Sequence, residues 1–120
     1  MGKILIVDDT AFMRTLLKNI LFSGGHMILG EAENGEDAVS KYRELKPDLV
    51  TMDVVMPKVN GIEALKSIKA LDPAAKVVMC TAVGQEQMVK LAIKSGARGY
   101  IVKPFQAAKV LEEIKAVLAT

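Results

Sequence analysis

The chain has 120 residues, 51% apolar and 25% charged, which suits one domain with a buried core and leaves no length for a second. Lys+Arg 16 against Asp+Glu 14 leaves a net charge of +2, so nothing in the overall electrostatics calls for a nucleic acid or membrane partner. No apolar run reaches bilayer-spanning length, the run 4–7 stops at Asp8, too short for a signal-peptide core, and Ile6 stands where a Met1-Gly2 myristoylation signal needs Ser or Thr.

Short β-branched runs alternate with amphipathic segments along the whole sequence. A strand is predicted over 3–7. A helix follows in which Met13, Leu16, Leu17, Ile20 and Leu21 form an i, i+3, i+4, i+7, i+8 stripe ending at Gly24-Gly25. His26, beyond those glycines, reads as an exposed loop residue with no role. A second strand is predicted over 27–31 and a helix over 36–45, stopped by Pro47. A third strand over 49–52 leads to a helix over 62–71 before Pro73. A fourth over 76–80 leads to a helix over 85–95 before Gly96. A fifth strand over 99–102 precedes a helix striped by Val110, Leu111, Ile114, Val117 and Leu118.

Most of these strands are near-continuous apolar runs, the mark of parallel strands covered on both faces. Five βα units with right-handed crossovers give an α/β fold, a doubly wound five-stranded parallel sheet of the flavodoxin-like kind. The common strand order for such a sheet is 2-1-3-4-5, with its topological switch between strands 1 and 3. Ligands bind there, beyond the carboxyl ends of the strands. The residues just after strands 1 and 3 are Asp8-Asp9 and Asp53.

Three carboxylates in one crevice repel one another, so something positive must join them. A hard divalent cation is one candidate, with magnesium (Mg²⁺) favoured in cytoplasm. Lys103, directly after strand 5, is the other. Thr81-Ala82 after strand 4 adds a hydroxyl at the same rim. A carboxylate nucleophile, a metal and two donors for phosphoryl oxygens are what phosphoryl transfer to an aspartate requires.

Each of these residues alone has an ordinary explanation. Asp8-Asp9 could cap a helix N-terminus. Asp53 with Asn60-Gly61 could belong to a plain loop, Thr81 could end a strand, and Lys103 could be a solvated charge. Their coincidence at one sheet edge is what argues for a site. Cys80 has no partner for a disulfide, which fits a reducing cytoplasm, and its apolar setting points to packing instead of reactivity. Several of the seven methionines fall on core faces. Phe12 lies off the first helix's stripe, open either to a partner or to partial burial against a loop.

The motifs Val7-Asp8-Asp9, Asp53-Val54-Val55-Met56-Pro57, Thr81-Ala82 and Lys103-Pro104-Phe105 together resemble the response-regulator receiver family over essentially residues 1–120. The opening run from Val7 to Arg14 and the closing Val102-Lys103-Pro104-Phe105-Gln106 are similar to its chemotaxis members in particular. The resemblance implies that Asp53 attacks the phosphorus of a phosphohistidine on a sensor histidine kinase. It implies that Asp9, Asp53 and the backbone carbonyl of Val55 ligate Mg²⁺, with Asp8 acting through a water. Lys103 and Thr81 would each hold a phosphoryl oxygen, Tyr100 would turn inward behind Thr81, and the Lys103–Pro104 bond would be cis.

A cytoplasmic monomer that is no enzyme in its own right, and that signals to a motility switch or adaptor protein, completes that expectation. A free-standing phosphorelay intermediate remains open beside it. An aspartate-nucleophile phosphatase would need an acid where Val55 stands, and an FMN binder would find Asp8-Asp9 repelling its phosphate. Val55 and Val83, two residues past the acceptor and two past Thr81, present apolar surface where relatives with polar side chains orient a hydrolytic water. Slow hydrolysis and a separate phosphatase are therefore expected.

Overall fold

Runs rich in Ile, Val and Leu form the strands, and the striped segments between them form the helices that cover both faces. The computed structural model describes residues 2–56 and 59–120. Met1, and Pro57 at the end of the Asp53 motif, lie outside the described residues. Among those described, the order is β1 (Lys3–Val7), α1 (Ala11–Ser23), β2 (Met27–Ala32), α2 (Gly35–Leu45), β3 (Leu49–Asp53), α3 (Gly61–Leu71), β4 (Val77–Ala82), α4 (Glu86–Lys94), β5 (Gly99–Lys103) and α5 (Ala107–Leu118). The strands are parallel and lie in the order β2-β1-β3-β4-β5, as the sequence predicts.

Because successive strand side chains point to opposite faces, the sheet divides the core in two. Leu5, Val7, Val50, Met52, Val77 and Met79 cluster with Ala38 and Tyr42 of α2 and Ile62, Leu65 and Ile68 of α3. Ile4, Ile6, Leu49, Val78, Cys80 and Ile101 cluster with Leu17 and Leu21 of α1 and Val110, Ile114 and Val117 of α5. Each fully buried aliphatic side chain contributes roughly 1.5–3 kcal/mol of transfer free energy. In α1 the buried face is narrower than its stripe: Leu17 and Leu21 are buried while Leu16 is exposed.

Four strands run further than their apolar residues suggest. β2 ends at Ala32, β3 at Asp53, β4 at Ala82 and β5 at Lys103, whereas β4 starts one residue late at Val77. A parallel ladder needs only backbone groups, so polar side chains do not stop it. Asp53 pairs with Cys80, and Ala82 with Lys103, in register. Asp53 and Lys103 are thus the last rungs of strands, not loop residues.

Helices α2 and α3 start alike. The side chains of Asn34 and Asn60 accept hydrogen bonds from the N–H groups of Asp37 (2.8 Å) and Glu63 (2.9 Å), satisfying donors that a helix start leaves open. After α1 the chain turns through Gly25 at φ 85, a left-handed conformation suited to glycine.

His26 corrects the sequence reading. It is buried, and its Nδ1 accepts a hydrogen bond from the N–H of Gly2 at 3.1 Å. The start of the chain lies against this turn, since Met27 N–H also donates to the Gly2 carbonyl at 2.9 Å. Burial holds the imidazole pKa below its usual value.

Thr51, on the central strand, is fully buried, and its hydroxyl has no hydrogen-bond partner among the described residues. An orphaned buried hydroxyl costs about 1–3 kcal/mol, so the isosteric Thr51→Val should raise stability, by about 1 kcal/mol. Urea unfolding checks this; a less stable variant would show that the hydroxyl is satisfied in solution.

Candidate functional site

At the carboxyl edge of the sheet, β1, β3 and β5 deliver their polar ends to one place. Asp8 follows β1 and is 4% exposed, its N–H bonded to the Ala32 carbonyl at 3.1 Å. Its Oδ1 accepts from the N–H of Thr10 (3.0 Å) and from the Thr10 hydroxyl (3.1 Å). Its Oδ2 accepts from Lys103 Nζ at 3.0 Å. The same ammonium lies 3.4 Å from Asp53 Oδ2. Asp9 is exposed, and one carboxylate oxygen from each of Asp8, Asp9 and Asp53 lies within 4.8 Å of the others.

The ordinary explanations weaken against this geometry. Helix α1 is capped by Thr10, without a side-chain cap bond, and carries no acid in its first turn, so Asp8-Asp9 does not serve as its cap. Lys103 is not a solvated charge: it spans two buried carboxylates. Thr81 is 2% exposed within β4. Val55 follows on the loop leaving β3 with its side chain exposed, and Val83 is exposed beyond β4.

Gly61 shapes this loop. A Cβ there would stand 2.0 Å from the Asp53 carbonyl oxygen, so only glycine lets α3 begin against the end of β3. Its N–H donates to the Val54 carbonyl at 3.0 Å.

Burial, and next the charge of Asp8, push the Asp53 pKa up to about 6, against the opposing pull of Lys103. Burial alone would lower Lys103, but the bond to Asp8 and the charge of Asp53 outweigh it, so its pKa is raised. Both groups are therefore charged at neutral pH. Three carboxylates against one ammonium leave two formal negative charges. A set of converging carboxylate oxygens with that surplus fits a hard divalent cation. Cys80, beside them, is buried and its thiol is pushed up by burial, so it packs and does not react.

Thr81 and Tyr100 border one cleft of about 430 Å³ with Val83, Val89 and Val102. The Tyr100 side chain is 46% exposed, turned out of the core. The Lys103–Pro104 bond is cis. Phe12 is 75% exposed, which resolves its two alternatives towards solvent. Two contributors escape a reading of the sequence: Thr10, and Arg14, whose Nη1 donates to the Asp8 carbonyl at 2.7 Å. Arg14 lies six residues past Asp8, and only the backbone path of the turn brings it back.

Fold and site together define a class. Residues 4–115 match the response regulator receiver domain model, and the chain belongs to that family. Within it the likeness is to chemotaxis regulators of the CheY type. The chain is 56% identical over 118 residues to chemotaxis protein CheY of Thermotoga maritima, covering 98% of each. It is 56% identical over 116 residues to CheY of Bacillus subtilis, covering 97% of each. It superposes with TM-score 0.93 and 42% identity on a chain of the CheX-CheY-BeF3-Mg complex from Borrelia burgdorferi, covering 98% of this chain and 90% of that one.

The raised Asp53 pKa makes a signed prediction for the metal-free protein. The folded state holds a proton that the unfolded state releases, so this residue's contribution to stability falls as pH rises from about 4 through about 6. Asp53→Asn should then be more stable than wild type at pH 7.5 by roughly 1–3 kcal/mol, and melt correspondingly higher, with the advantage shrinking below pH 5. Melting curves at both pH values measure it; a gain independent of pH would assign it to packing.

Proposed function

We propose that this chain is a chemotaxis switch that accepts a phosphoryl group on Asp53 from a sensor histidine kinase and passes the signal to a motility switch or adaptor protein. The observation that carries the reading is the Lys103 ammonium lodged between Asp8 and Asp53 at 3.0 and 3.4 Å. It holds positive charge where a dianionic phosphoryl group would arrive.

An Asp53 oxygen attacks phosphorus, an O–P bond forms, and the N–P bond to the kinase histidine breaks, with its electron pair staying on the imidazole. Asp8, Asp9 and Asp53, with the Val55 carbonyl, would hold Mg²⁺, which supplies charge neutralisation for the incoming phosphoryl oxygens. The complex from Borrelia burgdorferi, which carries BeF3 and Mg by name, supports a Mg²⁺ requirement. Lys103 binds one phosphoryl oxygen and the Thr81 hydroxyl another. The chain performs this transfer on itself and is not an enzyme for a separate substrate.

Output follows from Thr81. Its movement towards the phosphoryl group opens space in the cleft it shares with Tyr100, and the phenol turns inward. That remodels the face of α4, β5 and α5, where a groove of about 690 Å³ runs along Tyr100, Val102, Lys109 and Glu113. Coupling of roughly 1–3 kcal/mol between phosphorylation and target binding is typical of such switches.

With a small-molecule phosphodonor and Mg²⁺, the intact mass should rise by one phosphoryl group in wild type. Asp53→Asn, or wild type with chelator, should not gain it. A gain at the wild-type rate in Asp53→Asn would falsify Asp53 as the acceptor.

The phosphoryl lifetime depends on Val55 and Val83, 57% and 83% exposed on the two loops beside the acceptor. Neither side chain donates a hydrogen bond to an attacking water, and positioning that nucleophile is a large part of catalysis. The bond should therefore persist until a separate phosphatase acts. Val55→Asn with Val83→Glu should shorten its half-life by roughly tenfold or more, as a positioned general base or orienting group does. Equal or slower decay in the double variant refutes this.

A further inference from the structure

Asp8 is bonded at every polar atom it owns, and one of those bonds comes from a side chain with no part in the phosphoryl chemistry above. Its carbonyl oxygen accepts from Arg14 Nη1 at 2.7 Å. That carbonyl belongs to the peptide bond joining Asp8 to Asp9, so its direction fixes the plane from which Asp9 leaves. Arg14 is itself anchored: Nε donates to Glu31 Oε1 at 3.0 Å, while Lys18 holds Glu31 Oε2 at 2.9 Å. The guanidinium is a rigid planar fork, so fixing one side on Glu31 of β2 fixes the other on Asp8. Its side chain is only 16% exposed. Asp9, by contrast, is exposed, and no hydrogen bond holds its carboxylate among the described residues.

We propose that Arg14 is a positioning residue for the divalent cation, holding the Asp8–Asp9 peptide so that the Asp9 carboxylate faces Asp53 before the ion arrives. The inference rests on the cation-assisted reading of the site. Its sign separates it from simple electrostatics. A positive charge near three carboxylates opposes cation binding, so removing Arg14 as a charge would tighten the ion. Removing it as a positioning group loosens the ion, because groups behind metal ligands typically set roughly 10–100-fold of affinity.

The test is a Mg²⁺ titration of the phosphodonor-free protein, followed by the amide NMR shifts of Asp9 and Asp53. Arg14→Met should weaken the affinity by roughly tenfold. Arg14→Lys keeps the charge but loses the fork, and should also bind more weakly than wild type. Lys18→Met removes a charge from the same Glu31 without touching Asp8, and should match wild type or bind more tightly. With saturating Mg²⁺ the phosphorylation rate of Arg14→Met should return to the wild-type value, which misfolding would not allow. Unchanged or tighter binding by Arg14→Met overturns the proposal. If that variant does not fold, wild-type affinity in Arg14→Lys overturns it equally. A wild-type protein with no Mg²⁺-dependent shift would instead bring down the cation reading itself, and this inference with it.

Discussion

Lys103, on the last rung of β5, reaches past β4 and β3 to Asp8 at the end of β1, touching Asp53 on the way. Asp8 and Asp53 are 4% and 7% exposed, and buried carboxylates without a counter-charge cost several kcal/mol. The ammonium offsets part of that cost and no more, since Asp53 still titrates near 6. The residual strain is what makes the site useful. A group that binds there and supplies positive charge, or a modification that consumes the Asp53 charge, gains the free energy left unsatisfied in the resting protein. The carboxyl edge thus carries incompletely compensated buried charge on a mostly apolar sheet, as functional sites commonly do.

The sheet's architecture was legible because nothing opposes it: β-branched runs, helical stripes and glycine or proline stops all agree, and agreement across levels is what marks a foldable sequence. Asp8, Asp9, Asp53, Thr81 and Lys103 were legible for a topological reason, as each stands at a strand end that the order 2-1-3-4-5 gathers on one edge. The positions that escaped depend on backbone atoms. Arg14 acts on a carbonyl, and Thr10 adds its own N–H to its hydroxyl on the neighbouring carboxylate, backbone contacts that a side-chain pattern does not display. His26 looked exposed because its neighbours are glycines. Its burial comes from Gly2, at the other end of β1, and long-range contacts of that kind leave no local signature.

The doubly wound plan also explains where the molecule is easiest to move. Strand β5 is an edge strand that alternates, with Gly99 and Ile101 buried and Tyr100 and Val102 exposed. Its inner face packs on α5 through Ile101, while its outer-face residues Tyr100 and Val102 line open clefts shared with α4 and α5. Helix α4 is a light cover: Ala92 is its one buried residue among those described, and Leu91 and Ile93 are exposed. The other helices hold two or more buried side chains each.

Burial of one alanine gives a helix far less purchase than burial of two or three aliphatic side chains, each worth roughly 1.5–3 kcal/mol. Helix α4 therefore has less buried surface to lose on moving than α3 or α5. Thr81, near the carboxyl end of β4, borders the cleft beside α4 together with Tyr100. Among the described helices, the one that buries the fewest side chains lines a cleft with Thr81 of β4 and Tyr100 of β5.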